Sequence, residues 1–229
     1  MIANIFFLII CAFFIATSTI HLIVCAKLNE KLQTITKTML IPFLLAGAIL
    51  AFTFRWPDSK NLIIYSSLAL TFAYLGNIFF IKQENTKQFA LGTSFFILSN
   101  LSWLVILFPS IKLFPINIFL KIVLILFYIT GTFFAILIGR KLPKSKIIFL
   151  VFYSLVLCFL SYATVATFIG TRTLYSILQF CGTSFLIATS FLFLLKHCEK
   201  PIKHNQFFTM LLYLVSQLLI TSGIELMLY

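Results

Sequence analysis

Eight apolar runs, each about as long as a bilayer is thick, constrain this chain more than any other feature. They lie near residues 2–25, 38–54, 61–81, 89–109, 116–138, 147–169, 174–196 and 206–228. Crossing the hydrocarbon as a helix takes roughly 20 apolar residues, because in lipid every backbone N–H and C=O must be satisfied within the segment. The breaks hold the charges and turn formers: Lys27 to Lys37, Arg55-Trp56-Pro57-Asp58, Lys82 to Gln88, Pro109 to Pro115, Arg140 to Lys146, Gly170 to Thr173 and Lys196 to Asn205. The fold class that follows is all-α, a polytopic transmembrane helix bundle of about eight spans. No break is long enough to separate domains, so residues 1–229 read as a single transmembrane domain. The second run is the shortest. The start, Met1-Ile-Ala-Asn-Ile-Phe6, lacks the positive n-region of a signal peptide, and the first run reads as a retained helix.

Composition excludes the alternatives. The chain is 62% hydrophobic and only 10% charged, too few charges to cover the surface of a water-soluble domain of this length. The formal charge of +12 would suit nucleic acid only as a basic face on a folded aqueous module. Here the basic residues are scattered through short breaks, so no nucleic-acid partner is expected. The five cysteines, Cys11, Cys25, Cys158, Cys181 and Cys198, are odd in number and widely spaced. They give neither a disulfide framework nor a zinc site and read as small apolar residues. No metal and no cofactor is expected.

Lysine and arginine set the orientation. Twelve of the seventeen fall in the first, third, fifth and seventh breaks or at their edges, five on the opposite side. The odd breaks are therefore expected to be cytoplasmic and both termini outside, in a bacterial inner membrane.

Polar side chains inside the spans normally face the bundle interior, where they find partners. The third span carries Asn77, and the fourth carries Ser99, Asn100 and Ser102 beside Trp103. The seventh has Gln179, Thr183 and Ser190 on one helical face, and the eighth has Tyr213 and Gln217 one turn apart. At about 1.5 Å of rise per residue, Asn77 and Ser190 lie roughly 7 and 9 Å from the cytoplasmic ends of their spans, Asn100 and Gln217 roughly 16 Å. With Lys37 capping the second span, all five could line one cavity open to the inner leaflet. The alternative is hydrogen-bonded glue between helices, about 0.6 kcal/mol per side chain. His21 reads as an interfacial, hydrogen-bonded histidine. Glu225 is expected to snorkel to the outer surface, and the other four acids lie in breaks. With no carboxylate at the bilayer centre, a proton-driven pump is disfavoured.

Five segments occur in a recognisable order: Lys37-Thr-Met-Leu-Ile-Pro42, Tyr74-Leu-Gly-Asn77-Ile-Phe-Phe80, Phe89-Ala-Leu-Gly92 with Phe96-Ile-Leu-Ser-Asn100-Leu-Ser-Trp103, Gly182-Thr-Ser-Phe-Leu-Ile-Ala-Thr189-Ser190, and Tyr213-Leu-Val-Ser-Gln217-Leu-Leu-Ile220. This order resembles the YhhN-like family of eight-helix membrane proteins, which includes the lysoplasmalogenases. The resemblance implies a membrane lipid or lysolipid as partner, and Lys37, Asn77, Asn100, Ser190 and Gln217 as its binding residues. It implies vinyl-ether hydrolysis as the family's activity, in which a carboxylic acid protonates the vinyl carbon and water attacks the oxocarbenium. This chain departs at the decisive positions. The family's two aspartates align with Asn77 and Ser190, and its histidine aligns with Asn100. Neither an amide nor an alcohol donates a proton near neutral pH. The catalytic residues are thus unassigned, and two expectations stand: a hydrolase with an altered acid, or a non-catalytic lipid-binding protein on the same scaffold.

Overall fold

The computed structural model describes residues 2–27, 30–53, 60–82, 84–113, 116–140, 142–195 and 204–227. The breaks around Arg55 to Asp58 and Lys196 to Lys203, with His197, Cys198 and Glu199, lie outside these residues, as does the side chain of Cys11.

Among the described residues the chain forms eight α-helices: α1 (Ile2–Ala26), α2 (Glu30–Thr53), α3 (Lys60–Phe79), α4 (Thr86–Leu113), α5 (Ile118–Gly139), α6 (Lys144–Thr171), α7 (Leu174–Leu195) and α8 (Asn205–Leu226). A single 3₁₀ turn, Phe80–Lys82, follows α3. Seven helices, α2 to α8, are long and apolar enough to cross a bilayer, and α1 adds an apolar stretch, Ala12–Ala26. The protein is an integral membrane helix bundle.

Helices α2 and α4 outrun their apolar runs the furthest, each for a physical reason. The polar stretch Glu30 to Lys37 reads as a connecting loop by hydropathy, yet it forms the first two turns of α2. Backbone bonds inside a helix close equally well in the interface, and Thr36 and Thr38 return their hydroxyls to the carbonyls of Leu32 and Ile35 at 2.7 and 2.8 Å. Lys37 therefore stands roughly 10 Å along α2 rather than capping a span. Helix α4 continues through Pro109 to Leu113; a proline removes one N–H, and a packed helix absorbs that loss. Ends are marked by local devices as well. Asn117 caps α5 by accepting from the Phe119 amide at 3.1 Å. Arg172 adopts a left-handed conformation, φ 51°, to end α6.

Packing runs α1–α2–α3–α4–α6–α7–α8 and returns from α8 to α1 and α2, closing a ring of seven helices. The main core draws on each of these seven, with Trp103, Leu70, Leu107 and Leu160 fully enclosed. Helix α5 contributes nothing to it and leans on α6 and α7 from outside. Its faces are almost wholly uncovered, as with Ile118, Phe119, Phe127 and Phe133, which a lipid-facing helix tolerates. The same ring leaves Cys25 buried and Cys158 and Cys181 half-buried as free thiols.

Helices α7 and α8 approach most closely, through glycine. A Cβ at Gly182 would stand 2.8 Å from Ile220 Cγ1 and 3.0 Å from the Ile220 amide; one at Gly223 would stand 2.9 Å from the Tyr175 carbonyl. Small residues at such contacts let membrane helices pack backbone to backbone. Gly182→Val or Gly223→Val is expected to destabilise the bundle by about 1–3 kcal/mol through overpacking, read as a lowered thermal midpoint in detergent. Gly131→Val on α5, where a Cβ meets nothing within 4 Å, should leave the midpoint unmoved.

Candidate functional site

The ring encloses a cavity of about 780 Å³ at one end, where α1, α3 and α7 finish and α2, α4, α6 and α8 begin. This volume lies within the roughly 300–1,000 Å³ usual for small-ligand sites. The end is the one flanked by the basic first, third, fifth and seventh breaks.

Near the opening the lining is polar. It includes Gln33, Thr34 and Lys37 of α2, Gln206 of α8, and Glu84 and Asn85 of the turn before α4. Gln206 donates through Nε2 to Gln33 Oε1, tying the start of α8 to the start of α2. Lys146 steadies the Glu84 turn from α6. Its ammonium donates to the Glu84 carbonyl at 3.1 Å and sits 5.0 Å from the centre of the Phe89 ring. His21 faces the same space, hydrogen-bonded at both ring nitrogens. Thr36 already donates to the Leu32 carbonyl, so the 2.6 Å contact of His21 Nδ1 with Thr36 Oγ1 is donated by the ring. Nε2 is then the acceptor facing Cys25 Sγ at 3.5 Å. The histidine is hydrogen-bonded, as expected, and is buried between α1 and α2.

One wall is aromatic. Phe80 in the 3₁₀ turn meets Phe96 and Phe193 edge-on, both at 5.3 Å between ring centres. Gly92 makes room for it, since a Cβ there would come within 2.2 Å of the Phe80 ring.

Two polar pairs face the interior beyond this wall. Asn77 Nδ2 donates to the Tyr213 hydroxyl at 2.8 Å and to the Ala73 carbonyl at 2.9 Å. Ser190 Oγ lies 3.2 Å from the Tyr153 hydroxyl and 2.9 Å from the Leu186 carbonyl. Asn77, Ser190, Tyr153 and Tyr213 all line the cavity. Asn77 and Ser190 therefore both sit in the lining, each against a phenol.

Of the five residues singled out by sequence, Lys37, Asn77 and Ser190 line this one cavity, from three helices. Asn100 and Gln217 are buried but do not border it. Asn100 Nδ2 and Gln217 Oε1 are both buried without a hydrogen-bond partner. Both residues lie one turn beyond the last lining residues of their own helices, Phe96 on α4 and Tyr213 on α8. Asn100 is roughly 21 Å into its helix and Gln217 roughly 18 Å.

Sequence reading passed over Tyr153, Glu84, Thr93, Thr189, Gln33 and Gln206, which the cavity also uses. A tyrosine deep within an apolar run was a usable signal for Tyr153, because its hydroxyl must find a partner there. Glu84 and Gln33 lay in polar stretches read as loops, Gln206 at the very start of the last run, and the threonines matched the ordinary hydroxyl content of membrane helices.

A crevice of about 10 Å³ lies between α5 and α6 and shares Leu150 and Ser154 with the cavity. Glu84, on the exposed turn at the opening, is the cavity's one carboxylate among the described residues.

The YhhN family profile matches residues 32–224 of the chain. No curated protein and no solved structure matches it.

Proposed function

The chain belongs to the YhhN family, and from that premise we propose that its cavity holds a single-chain membrane lipid without cleaving the vinyl-ether bond that lysoplasmalogenases hydrolyse. One observation carries this reading: the two lining positions that align with family acids are Asn77 and Ser190, each engaged with a tyrosine hydroxyl. Vinyl-ether hydrolysis begins with protonation of carbon, a step that needs a positioned acid and contributes typically 10²–10⁴-fold when one is present. An amide and a hydroxyl offer binding chemistry in its place.

The lining suits an amphiphile. Lys37, Gln33 and Gln206 near the opening favour a phosphate and its glycerol, while Phe80, Phe96, Leu186 and Phe193 favour a hydrocarbon chain. Titration with a fluorescent lysophospholipid in detergent tests this. Lys37→Gln is expected to weaken binding roughly tenfold, the loss of one charge-assisted hydrogen bond. A wild-type protein that binds no lysophospholipid would contradict the reading.

The lysine and arginine bias further supports a cavity open to the cytoplasm with both termini outside. A reporter active only in the cytoplasm, fused after Tyr229, should stay silent. Full signal would reverse the orientation.

A second reading keeps the hydrolase and moves its acid. Glu84 is the observation that favours it, being a carboxylate of the lining. On this reading the unmodified protein releases aldehyde from lysoplasmalogen and Glu84→Gln abolishes the release.

A further inference from the structure

The hydrogen bonds of Asn77 fix which way its amide points. Nδ2 is 2.9 Å from the Ala73 carbonyl, an oxygen that only accepts. Turning the amide over would set two acceptors against each other, so the nitrogen must stand where it does. The contact with Tyr213 is then donated by Asn77 as well, at 2.8 Å. The phenol oxygen accepts, and the phenol proton is left for another group. Among the described residues no acceptor takes it: Asn77 is the sole hydrogen-bond partner of the Tyr213 hydroxyl. The amide oxygen of Asn77 is likewise uncommitted, because both of its side chain's bonds run through Nδ2.

Tyr213 is not free to carry this proton elsewhere. The residue is 6% exposed, enclosed among the core side chains, and Phe96 meets its ring edge-on at 5.9 Å. Phe96 in turn rests on Gly76, where a Cβ would stand 3.2 Å from the ring. The neighbouring phenol differs, because its partner Ser190 Oγ can accept the Tyr153 proton while donating to the Leu186 carbonyl. One side of the cavity thus presents an uncommitted O–H donor next to an uncommitted carbonyl acceptor.

We infer that Tyr213 and Asn77 together read a hydroxyl group on the cavity's ligand, Tyr213 donating to its oxygen and Asn77 Oδ1 accepting its proton. This rests on the lipid reading and adds the ligand feature that the site selects, a free secondary hydroxyl on the glycerol of a single-chain lipid. Only a group that donates and accepts at one atom satisfies both halves of the pair; an ether or an ester can satisfy only Tyr213. The replacement at position 77 is what makes the pair available. An aspartate there would accept the phenol proton through one oxygen, leaving Tyr213 no donor for a ligand.

Two lipids separate the possibilities: 1-palmitoyl-lysophosphatidylcholine, and the same molecule with hydrogen in place of the secondary hydroxyl. Binding is measured for both, in the same detergent, by displacement of a fluorescent single-chain lipid. The wild-type protein is expected to prefer the hydroxyl lipid about three- to tenfold, the range of one or so net neutral hydrogen bonds. Tyr213→Phe keeps the ring against Phe96 and should erase the preference while leaving affinity for the deoxy lipid unchanged. Asn77→Asp should erase the preference too, by capturing the phenol proton. Equal wild-type affinity for the two lipids overturns the pair and leaves the lipid reading standing. So does a Tyr213→Phe variant that loses both lipids alike, since that marks a packing role. A protein that binds neither lipid overturns the lipid reading and the pair with it.

Discussion

Asn77→Asp combined with Ser190→Asp is expected to turn this protein into a detectable vinyl-ether hydrolase, with aldehyde release from lysoplasmalogen at least about 10²-fold above the unmodified chain. That figure is the lower end of what a positioned general acid supplies. Both positions line the same cavity and each side chain already abuts a phenol, so the carboxylates would face a bound lipid rather than the membrane. The reaction needs one carboxyl to protonate the vinyl carbon and a second to guide water onto the oxocarbenium. Either single change should therefore do little, because groups that act as a unit are strongly non-additive. The unmodified protein should match an unrelated membrane protein in the same assay. Aldehyde release from it at a clear rate would mean that another residue supplies the proton, with Glu84 the first to test.

Filling the cavity is expected to have an effect of similar size on binding. Ser154 is half-buried on α6 and borders both the cavity and the α5–α6 crevice. With only about 10 Å³ in the crevice, an indole at this position has to project into the cavity. Ser154→Trp should reduce lysophospholipid affinity by tenfold or more while the thermal midpoint of the apo protein holds. Unchanged affinity would place the lipid elsewhere on the bundle.

Fold and site were legible in the sequence to different degrees, for reasons that individual residues make plain. The spans follow from hydropathy because lipid leaves a backbone no other way to satisfy its hydrogen bonds. The ends of α2 and α4 do not, since Glu30 to Lys37 and Pro109 to Leu113 are helical without being apolar enough to register. The extra turns of α2 place Lys37 well into that helix. Polar residues in apolar runs pointed correctly to the interior, where Asn77, Asn100, Ser190 and Gln217 are all buried or half-buried. Which of them share a space depends on ring order, with α4 against α6 and α5 outside, and no spacing along one helix encodes that. The polarity of the Asn77–Tyr213 contact was equally out of reach, because it turns on a carbonyl four residues back on the same helix.

Lipid mass spectrometry of the protein purified in mild detergent tests the central claim most directly. The account predicts a single-chain glycerophospholipid retained near one per chain by the unmodified protein and lost from Ser154→Trp. The same scarcity of single-chain lipid in both, at the level of an unrelated membrane protein, would contradict it.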